Sequence, residues 1–494
     1  MLKQALDSNV YLKLQQEKIK ERVELFGNKL YLEFGGKLFD DCHATRVFPG
    51  FNIDAKVKVL LSMKDDVEFI VTVKADDIQA GKVRGDTGLS YEDETLRLID
   101  EITDAGLQVS GVVITQYSHQ PAVDVFLQLL KSLNVKTYLH YVIKGYPHDL
   151  ENVFSEKGFE LNDYVITTRP IVVVTAPGPG SGKMATCLSQ IHADFKRGIK
   201  SGYAKYETFP VWNLPLKHPI NLAYEAATAD LNDVTMVDYY HFEAYSVPAV
   251  SYNRDMEVYP VLQKMFERIY GESPYKSPTD MGVNMIGFAI VDDDTAVEAA
   301  KAEIIRRYYS AMWKNKTGHL SDEGLDRIRY IIESLNINPK LDRACVGPAL
   351  QKAQERNAPA VAIELHDGTI VTGKETGKFT AGAAALINAL KHLASINKRL
   401  HLLSPQLIKT IQQLKQENMY SKIQMLSVNE VLITLAITAN TNSFSEVALA
   451  QTSKLFKAQA HSSIRMNLED KNAFKQLGID VSSEPVQTSY FVQS

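Results

Sequence analysis

The segment from Ile171 to Lys183 constrains the fold of this chain more than any other part of the sequence. It reads IVVVTAPGPGSGK, a β-branched run that stops at Ala176-Pro177 and is followed by glycines and a lysine. The residues after it, MATCLSQIHADFKRG, have the pattern of a helix. Strand, glycine loop and helix in this order direct backbone N–H groups and a helix N-terminus at one point, which favours a bound phosphate. The segment therefore predicts both a buried strand and a class of ligand.

The glycine loop resembles a P-loop but does not match it fully. A P-loop has a glycine, four further residues and then Gly-Lys-Ser/Thr. Gly182 and Lys183 fit this pattern, whereas the first glycine comes one place late, at Gly178, and Met184 holds the place of the Ser/Thr. The dinucleotide-binding fingerprint is also incomplete, because Gly178, Gly180 and Gly182 give GxGxG with the third glycine one place early.

Two interpretations of the loop follow from the sequence. In the first, the loop binds phosphate: the residues that hold the ligand are Gly178, Gly180, Ser181, Gly182 and Lys183, and Lys183 neutralises the charge. ATP or another nucleotide is then the candidate cofactor, although the missing Ser/Thr argues against hydrolysis of Mg²⁺-ATP. In the second interpretation the loop is only a tight turn between strand and helix, and Lys183 is a solvated side chain.

Length and composition limit the class of protein. A chain of 494 residues is too long for one core, so two or three domains are expected. The net charge of −5 gives no electrostatic reason to expect a nucleic-acid partner, and no apolar run is long enough to span a membrane. The charged N-terminus lacks the apolar core of a signal peptide. Cys42, Cys187 and Cys345 lie far apart, which predicts reduced thiols in a cytoplasmic protein and no metal site.

Strands that alternate with helices predict an α/β fold with a mostly parallel sheet and the P-loop-like glycine loop at its edge. The predicted strands are Leu30–Phe34, Val57–Leu61, Glu68–Val73, Val112–Thr115, Lys136–Val142 and Ile171–Thr175. From Gly202 to Asn253 the sequence is irregular and aromatic, as in a functional loop region. We predict three domains: an α/β domain over residues 1–219, a helical middle subdomain over 220–325 and an α+β C-terminal domain over 326–494.

The C-terminal block combines a hairpin signal with apolar helices. Asp367-Gly368 lies between two apolar runs and predicts a β-hairpin, since glycine allows the positive φ of a tight turn. The later helices carry apolar residues on more than one face, among them Val431, Ile433, Leu435 and Ile437. Such helices need a larger core or a partner, so we expect a homo-oligomer. The alternative is that this helix is simply the central one of its domain.

A second glycine-lysine pair, Gly36-Lys37, also follows a predicted strand. Lys37 and Lys183 would then stand at strand ends and could face one crevice, with His43 as a general acid or base. Three further cations could contribute charge for an anionic substrate, namely Arg46, Lys56 and Arg84. We rank Lys37 and His43 behind Lys183 as catalytic candidates. The alternative is a set of separate surface turns.

Several motifs together resemble one bacterial family along nearly the whole chain. They include FGGKLFDDCHATRVFPGFNIDAKVK, RGDTGLSYEDETLRLIDEI, VTAPGPGSGKMATCLSQ, VWNLPLKHPINLAYEAATADLNDV, SYNRD, VAIELHDGTIVTGK and AHSSI. The chain is identified as a member of a family of uncharacterised proteins built around a domain of unknown function. The resemblance implies a similar length and a separate C-terminal domain, and it implies no catalytic residue.

Two functions from different classes are compatible with these observations. The first is an enzyme that binds a nucleotide or acts on another phosphorylated small molecule. The second is a non-catalytic assembly or interaction protein whose glycine loop is a structural turn. Some relatives carry the label of an ATP-dependent peptidase, but the sequence has no HExxH and no GxSxG motif, so peptidase activity is not expected.

Overall fold

The computed structural model describes residues 3–39, 41–85 and 87–487. The chain forms two compact units. Unit 1 consists of residues 3–224 and 233–300, and unit 2 consists of residues 225–232 and 301–487. The three-domain division stays a prediction.

Unit 1 is built from short strands and helices in alternation. Its strands are β1 (Leu30–Phe34), β2 (Val67–Lys74), β3 (Gln108–Tyr117), β4 (Thr137–Tyr141), β5 (Ile171–Thr175), β6 (Gly202–Tyr206), β7 (Thr235–Val237), β8 (Val250–Tyr252) and β9 (Gly282–Val283). The α-helices that begin in unit 1 are α1 (Ser8–Leu25), α2 (Cys42–Val47), α3 (Ala55–Leu61), α4 (Ala75–Gln79), α5 (Tyr91–Asp104), α6 (Pro121–Ser132), α7 (Leu150–Val153), α8 (Lys183–Lys196), α9 (Pro219–Ala227), α10 (Tyr239–Tyr245), α11 (Asn253–Tyr270), α12 (Pro278–Met281) and α13 (Asp293–Lys316).

The centre of unit 1 is a parallel sheet, as the sequence predicted. In the described residues it has seven strands in the order β4-β3-β2-β5-β1-β6-β9. The chain leaves β2 toward β3 and β4, whereas it leaves the neighbouring β5 in the opposite direction, toward β6. Strand connections that diverge in this way open a crevice at the carboxyl ends of the strands, where α/β proteins bind their ligands.

Two local predictions for unit 1 were wrong. The segment Val57–Leu61 alternates like a strand but belongs to helix α3. Its buried residues include pairs four positions apart, Ala55 with Val59 and Lys56 with Leu60, so the same residues also fit the helical period. The segment predicted as irregular begins with strand β6, which pairs with β1 and β9. Lys205 is tolerated in this strand because its ammonium is ion-paired.

Unit 2 contains a separate C-terminal domain with a mixed sheet. Its elements after α13 are α14 (Asp322–Ser334), α15 (Val346–Arg356), β10 (Ala360–Glu364), β11 (Ile370–Lys374), α16 (Ala381–Leu393), α17 (Pro405–Gln413), α18 (Val428–Ala439), α19 (Ser443–Leu449), β12 (Gln459–Ser462), α20 (Leu468–Gln476) and β13 (Asp480–Ser483). The strand order is β11-β10-β12-β13. The antiparallel pair β10 and β11 is the hairpin that Asp367-Gly368 predicted.

The core of unit 2 lies where α16 and α18 meet the mixed sheet. Leu386, Leu390 and Val431 are fully buried there, together with Phe474 of α20. In the described ranges of the chain, no helix is both long and apolar enough to cross a membrane.

Candidate functional site at the carboxyl edge of the parallel sheet

The glycine loop, residues 176–182, joins the buried strand β5 to helix α8. Gly180 and Gly182 have φ values of +72° and +82°, in the left-handed region that favours glycine. Gly182 is the N-cap of α8, and no side chain in the described part of the chain caps this helix end. The first backbone N–H groups of α8 therefore have no side-chain acceptor, and the loop presents a helix N-terminus at the carboxyl edge of the sheet.

Two glycines of the loop are required by packing. A Cβ atom on Gly178 would lie 2.2 Å from the Tyr91 hydroxyl, and one on Gly182 would lie 2.9 Å from the Thr115 side chain. Gly180 is different, because none of the described residues has an atom within 4 Å of the Cβ position there. Packing against Tyr91 and Thr115 thus explains why positions 178 and 182 are glycine. No packing contact with the described residues requires a glycine at position 180.

Hydrogen bonds hold the loop in this shape. The Ser181 hydroxyl donates to the Gly178 carbonyl at 2.9 Å, so this hydroxyl is used inside the loop. The Arg84 guanidinium donates to the Pro177 carbonyl and also to the buried Glu94 carboxylate, at 2.9 Å. Arg84, which the sequence suggested as a charge for the substrate, therefore anchors the loop.

Lys183, the first residue of α8, carries a cation without a partner. The side chain is partly buried, and among the residues that the structure describes its ammonium group makes no hydrogen bond or ion pair. Burial lowers the pKa of Lys183; the carboxylate of Glu33 opposes this change, and the positive charges of Lys205 and Arg254 add to it. An unpaired ammonium at such a position costs free energy of folding.

Lys183 belongs to a group of charged residues that we call the lysine–carboxylate cluster. Its members are Glu33, Lys183, Lys205, Glu207 and Asp255. Glu33 of β1 pairs in register with Lys205 of β6, so that both side chains leave the sheet on the same face. The Lys205 ammonium lies 2.7 Å from a carboxylate oxygen of Glu207 and 2.7 Å from one of Asp255. The cluster thus joins the ends of two strands, β1 and β6, and the first turns of α8 and α11.

Within the cluster the pKa values of Glu207 and Lys205 are raised, whereas the pKa of Lys183 is lowered. Burial raises the pKa of Glu207 to about 7; Lys205 opposes this shift, and Asp255 adds to it. Burial acts to lower the pKa of Lys205, but the carboxylates of Asp255 and Glu207 outweigh it and raise this pKa above its usual value. Glu207 is thus the carboxyl group of the cluster whose pKa burial raises, in spite of its ion pair with Lys205.

Two tyrosines border the cluster. The Tyr203 hydroxyl donates to Glu33 at 2.5 Å. The Tyr146 hydroxyl oxygen is buried and has no hydrogen-bond partner within residues 3–39, 41–85 and 87–487. Burial, and then the charges of Glu33 and Cys187, raise the pKa of Tyr146 above its usual value. Glu33 and Cys187 also act on the pKa of Lys183, which they raise against the effect of burial.

Lys37 and His43, the catalytic candidates that we ranked behind Lys183, follow strand β1 in the sequence. Lys37 follows β1 at the same edge of the sheet as the glycine loop. The ring of His43, on α2, packs against Phe209 and Tyr224, with centroids 5.1 Å and 5.6 Å apart. Lys56 is buried and forms an ion pair of 2.7 Å with Asp41, so its charge is already neutralised.

Sequence reasoning missed most of the cluster. Two features of the sequence could have predicted it. Glu33 is a charged residue in an otherwise apolar strand, and Lys205 and Glu207 are charged residues at the end of another strand. Asp255 entered only as the last residue of the family motif SYNRD, although it lies in the first turn of α11. Tyr146 carries no signal in the sequence, because the burial of its hydroxyl depends on the tertiary fold.

Comparison with known proteins identifies the family. Residues 4–336 match the family described as “Domain of unknown function DUF1846, N-terminal”, and residues 341–491 match its C-terminal counterpart. The chain belongs to this family. It is 50% identical to the UPF0371 protein of Streptococcus uberis over 486 residues, and 52% identical to that of Streptococcus thermophilus strain LMG 18311 over 485 residues. Each alignment covers 98% of both chains.

A further relative, the UPF0371 protein of Streptococcus pneumoniae strain CGSP14, is 51% identical over 485 residues, again with 98% of both chains covered. The resemblance that the sequence motifs indicated is confirmed. The names of the family and of these relatives state no activity.

Proposed function

We propose that unit 1 is an enzyme domain that binds the phosphate group of a small molecule at the glycine loop and Lys183. The observation that carries the proposal is the partly buried ammonium of Lys183, which has no partner among the described residues and stands at the start of a helix that none of their side chains caps. A bound phosphate would supply the anion that this ammonium lacks, and it would accept hydrogen bonds from the N–H groups of the first helical turn.

The position of the loop supports the same interpretation. β5 is a central strand, and the connections after β2 and β5 diverge next to it. Ligands of α/β proteins bind at such points. In the proposed complex, the N–H groups of Gly180, Ser181 and Gly182 face the phosphate, and Gly180 leaves room for it because no atom of residues 3–39, 41–85 and 87–487 lies near its Cβ position.

Glu207 favours an enzyme over a passive binding protein. A carboxyl group with a pKa near 7 can accept and return a proton at physiological pH. ATP or another nucleotide remains a candidate ligand, and Lys37 and His43 keep their second-rank roles in catalysis. Because Met184 replaces the Ser/Thr that holds Mg²⁺ in a P-loop, the proposal does not include Mg²⁺-ATP hydrolysis.

The variant Lys183→Met tests this proposal, since it keeps the length of the side chain and removes the charge. Without ligand we expect its melting temperature to equal or exceed that of the native protein, because an unpaired buried charge is lost. With phosphate, pyrophosphate or ATP, the native protein should melt at a higher temperature and Lys183→Met should show no shift.

Lys196→Met is the matched control for this experiment. Lys196 is in the last turn of the same helix, half exposed and 2.6 Å from Glu160, so its loss should leave the ligand response intact. The proposal is wrong if none of these anions raises the melting temperature of the native protein, or if Lys183→Met responds as the native protein does.

The rival function, a non-catalytic assembly protein with a structural turn, is favoured by one observation. Close packing explains why positions 178 and 182 are glycine, and the Ser181 hydroxyl donates a hydrogen bond inside the loop. The shape of the loop is therefore explained without a ligand. This alternative predicts that Lys183→Ala alters stability and leaves any ligand response unchanged. It has no explanation for a lysine that remains unpaired at the loop.

A further inference from the structure

We propose that unit 2 has a binding site of its own, a pocket at the starts of helices α16 and α20, and that this pocket binds a free amino acid with an apolar side chain. The walls of the pocket enclose about 490 Å³, open solvent at the mouth included. This volume is an upper limit, so the ligand is a small molecule. The inference is independent of the phosphate site proposed for unit 1.

The first evidence is a buried hydroxyl group in the wall of the pocket. Ser462, the last residue of β12, lines the pocket and is only 2% exposed. It pairs in register with Val361 of β10, which also lines the pocket. The Ser462 hydroxyl makes no hydrogen bond to any residue within 3–39, 41–85 and 87–487. A buried hydroxyl without a partner costs free energy, and a polar ligand in the pocket would supply the missing hydrogen bond.

The second evidence is that the pocket wall contains an acid and a base, and neither is ion-paired. The carboxylate of Glu375, after β11, is partly buried and makes no hydrogen bond or ion pair with any described residue. The guanidinium of Arg465 has no ion pair in the same ranges and stacks on Trp313, 4.0 Å from the ring centroid. A ligand that carries both an ammonium and a carboxylate group would pair with each of them.

Asp470 adds negative charge beside Glu375. It is the third ionisable residue of the pocket wall, and burial, followed by the charge of Asp470, raises the pKa of Glu375. The Asp470 oxygens already accept the Val428 N–H at 2.7 Å and the Asn467 amide at 3.0 Å. Asp470 therefore strengthens the attraction for a cation, and Glu375 supplies the acceptor oxygens for an ammonium group.

Positive charges gather around Arg465. Burial lowers the pKa of Lys471, and four cations lower it further, namely Arg306, Arg465, Lys475 and Lys314. Arg306 is ion-paired with Glu303, and Arg465 is the member of this group that lines the pocket. The surplus of positive charge attracts the carboxylate of a ligand to Arg465.

Apolar side chains form much of the remaining wall and determine the third group of the ligand. They are Val361, Ala381, Ile423, Met425, Ile464 and Met466. Such a wall favours an aliphatic group, and the two flexible methionines adapt to its shape. With an ammonium group at Glu375 and a carboxylate at Arg465, the ligand is an amino acid such as leucine or methionine.

Three molecules with the same carbon skeleton test the two charges separately. L-Leucine carries both charges, 3-methylbutylamine lacks the carboxylate and 4-methylpentanoate lacks the ammonium group. By isothermal titration calorimetry with the full chain, we expect L-leucine to bind about tenfold more tightly than either analogue, since each analogue loses one charge-assisted hydrogen bond. The inference is overturned if neither L-leucine nor L-methionine binds, or if one of the analogues binds as tightly as L-leucine.

Two variants assign the charges to their residues. Arg465→Met should weaken the binding of L-leucine about tenfold and leave that of 3-methylbutylamine unchanged. Glu375→Gln should weaken the binding of L-leucine and 3-methylbutylamine and leave that of 4-methylpentanoate unchanged. Neither side chain is ion-paired in the described part of the chain, so both variants should fold, which circular dichroism checks.

Arg356→Met, at an exposed position in the last turn of α15, is the matched control and should bind L-leucine as the native protein does. Affinity for L-leucine that is unchanged in both Arg465→Met and Glu375→Gln overturns the inference. These results leave the phosphate site of unit 1 untouched, because none of the variants alters a residue of that unit.

Discussion

At the scale of single residues, Glu207 should make stability depend on pH. Its pKa is raised from the usual 4.5 to about 7 in the folded protein, so between these values the folded state binds more protons than the unfolded state. The free energy of unfolding should therefore fall as pH rises from about 4.5 to about 7, by at most about 1.4 kcal/mol per pH unit from this group.

Urea denaturation at a series of pH values measures this dependence. Glu207→Gln cannot titrate, so we expect its free energy of unfolding to fall less steeply than that of the native protein over the same range. Glu17→Gln is a control, because the Glu17 side chain is 59% exposed and lies on helix α1, away from the cluster. Parallel pH curves for the native protein and Glu207→Gln would contradict the assignment.

The residues of the site show what a single sequence can and cannot reveal. Gly178, Gly182 and Lys183 were found because they are consecutive in the chain and form a recognisable pattern. Asp255 could not be found in this way, since only the packing of α11 brings it to Lys205. Local motifs predict the part of a site made by one loop, and the tertiary fold supplies the rest.

At the scale of helices, Asp470 joins two helix N-termini in unit 2. The carboxylate accepts the Val428 N–H of α18 at 2.7 Å and the side-chain amide of Asn467, the N-cap of α20, at 3.0 Å. A Cβ atom on Gly382, in the first turn of α16, would lie 3.2 Å from the same carboxylate. Burial raises the pKa of Asp470, although hydrogen bonds from Thr380, Val428 and Asn467 act to lower it.

Replacing Asp470 should therefore loosen the start of α18. Asp470→Ala leaves the buried Val428 N–H without its acceptor, and we expect a loss of about 1–3 kcal/mol. Asp470→Asn keeps an acceptor and removes a charge that burial disfavours, so its loss should be smaller. Hydrogen exchange of the first turn of α18 measures this local effect, with Asn472→Ala, an exposed position on α20, as the control. Equal protection in Asp470→Ala and the native protein would show that the bond contributes little.

The alternation of strands and helices predicted the architecture of unit 1 better than its details. Strands Leu30–Phe34 and Ile171–Thr175 were predicted with the observed bounds, because each is a short apolar run followed by glycine or proline. Segment Val57–Leu61 was predicted wrongly, since its apolar pattern fits both the strand and the helical period. The strand order could not be predicted, because β5 inserts between β1 and β2 through contacts that are distant in sequence.

At the scale of the whole molecule, the predicted homo-oligomer has a specific candidate surface. Helix α18 buries Val431 and Leu435 in unit 2, while Ile433 and Ile437 on the same helix are 63% and 65% exposed. Phe444 and Val447 of the following helix, α19, are each 47% exposed, so the apolar surface continues beyond α18. This pattern agrees with the expectation that one face serves the domain's own core and another is left for a second copy.

Light scattering coupled to size-exclusion chromatography tests the oligomer at micromolar concentration. We expect a mass twice that of the 55.2 kDa chain. The double variant Ile433→Lys, Ile437→Lys should shift the mass to that of one chain, because two desolvated ammonium groups at an interface cost far more than they do in water. Val125→Lys, at a position 72% exposed on helix α6, is the control for adding charge and should leave the mass unchanged. A native mass of 55.2 kDa would refute the oligomer, and the exposed face of α18 would then belong to a monomer.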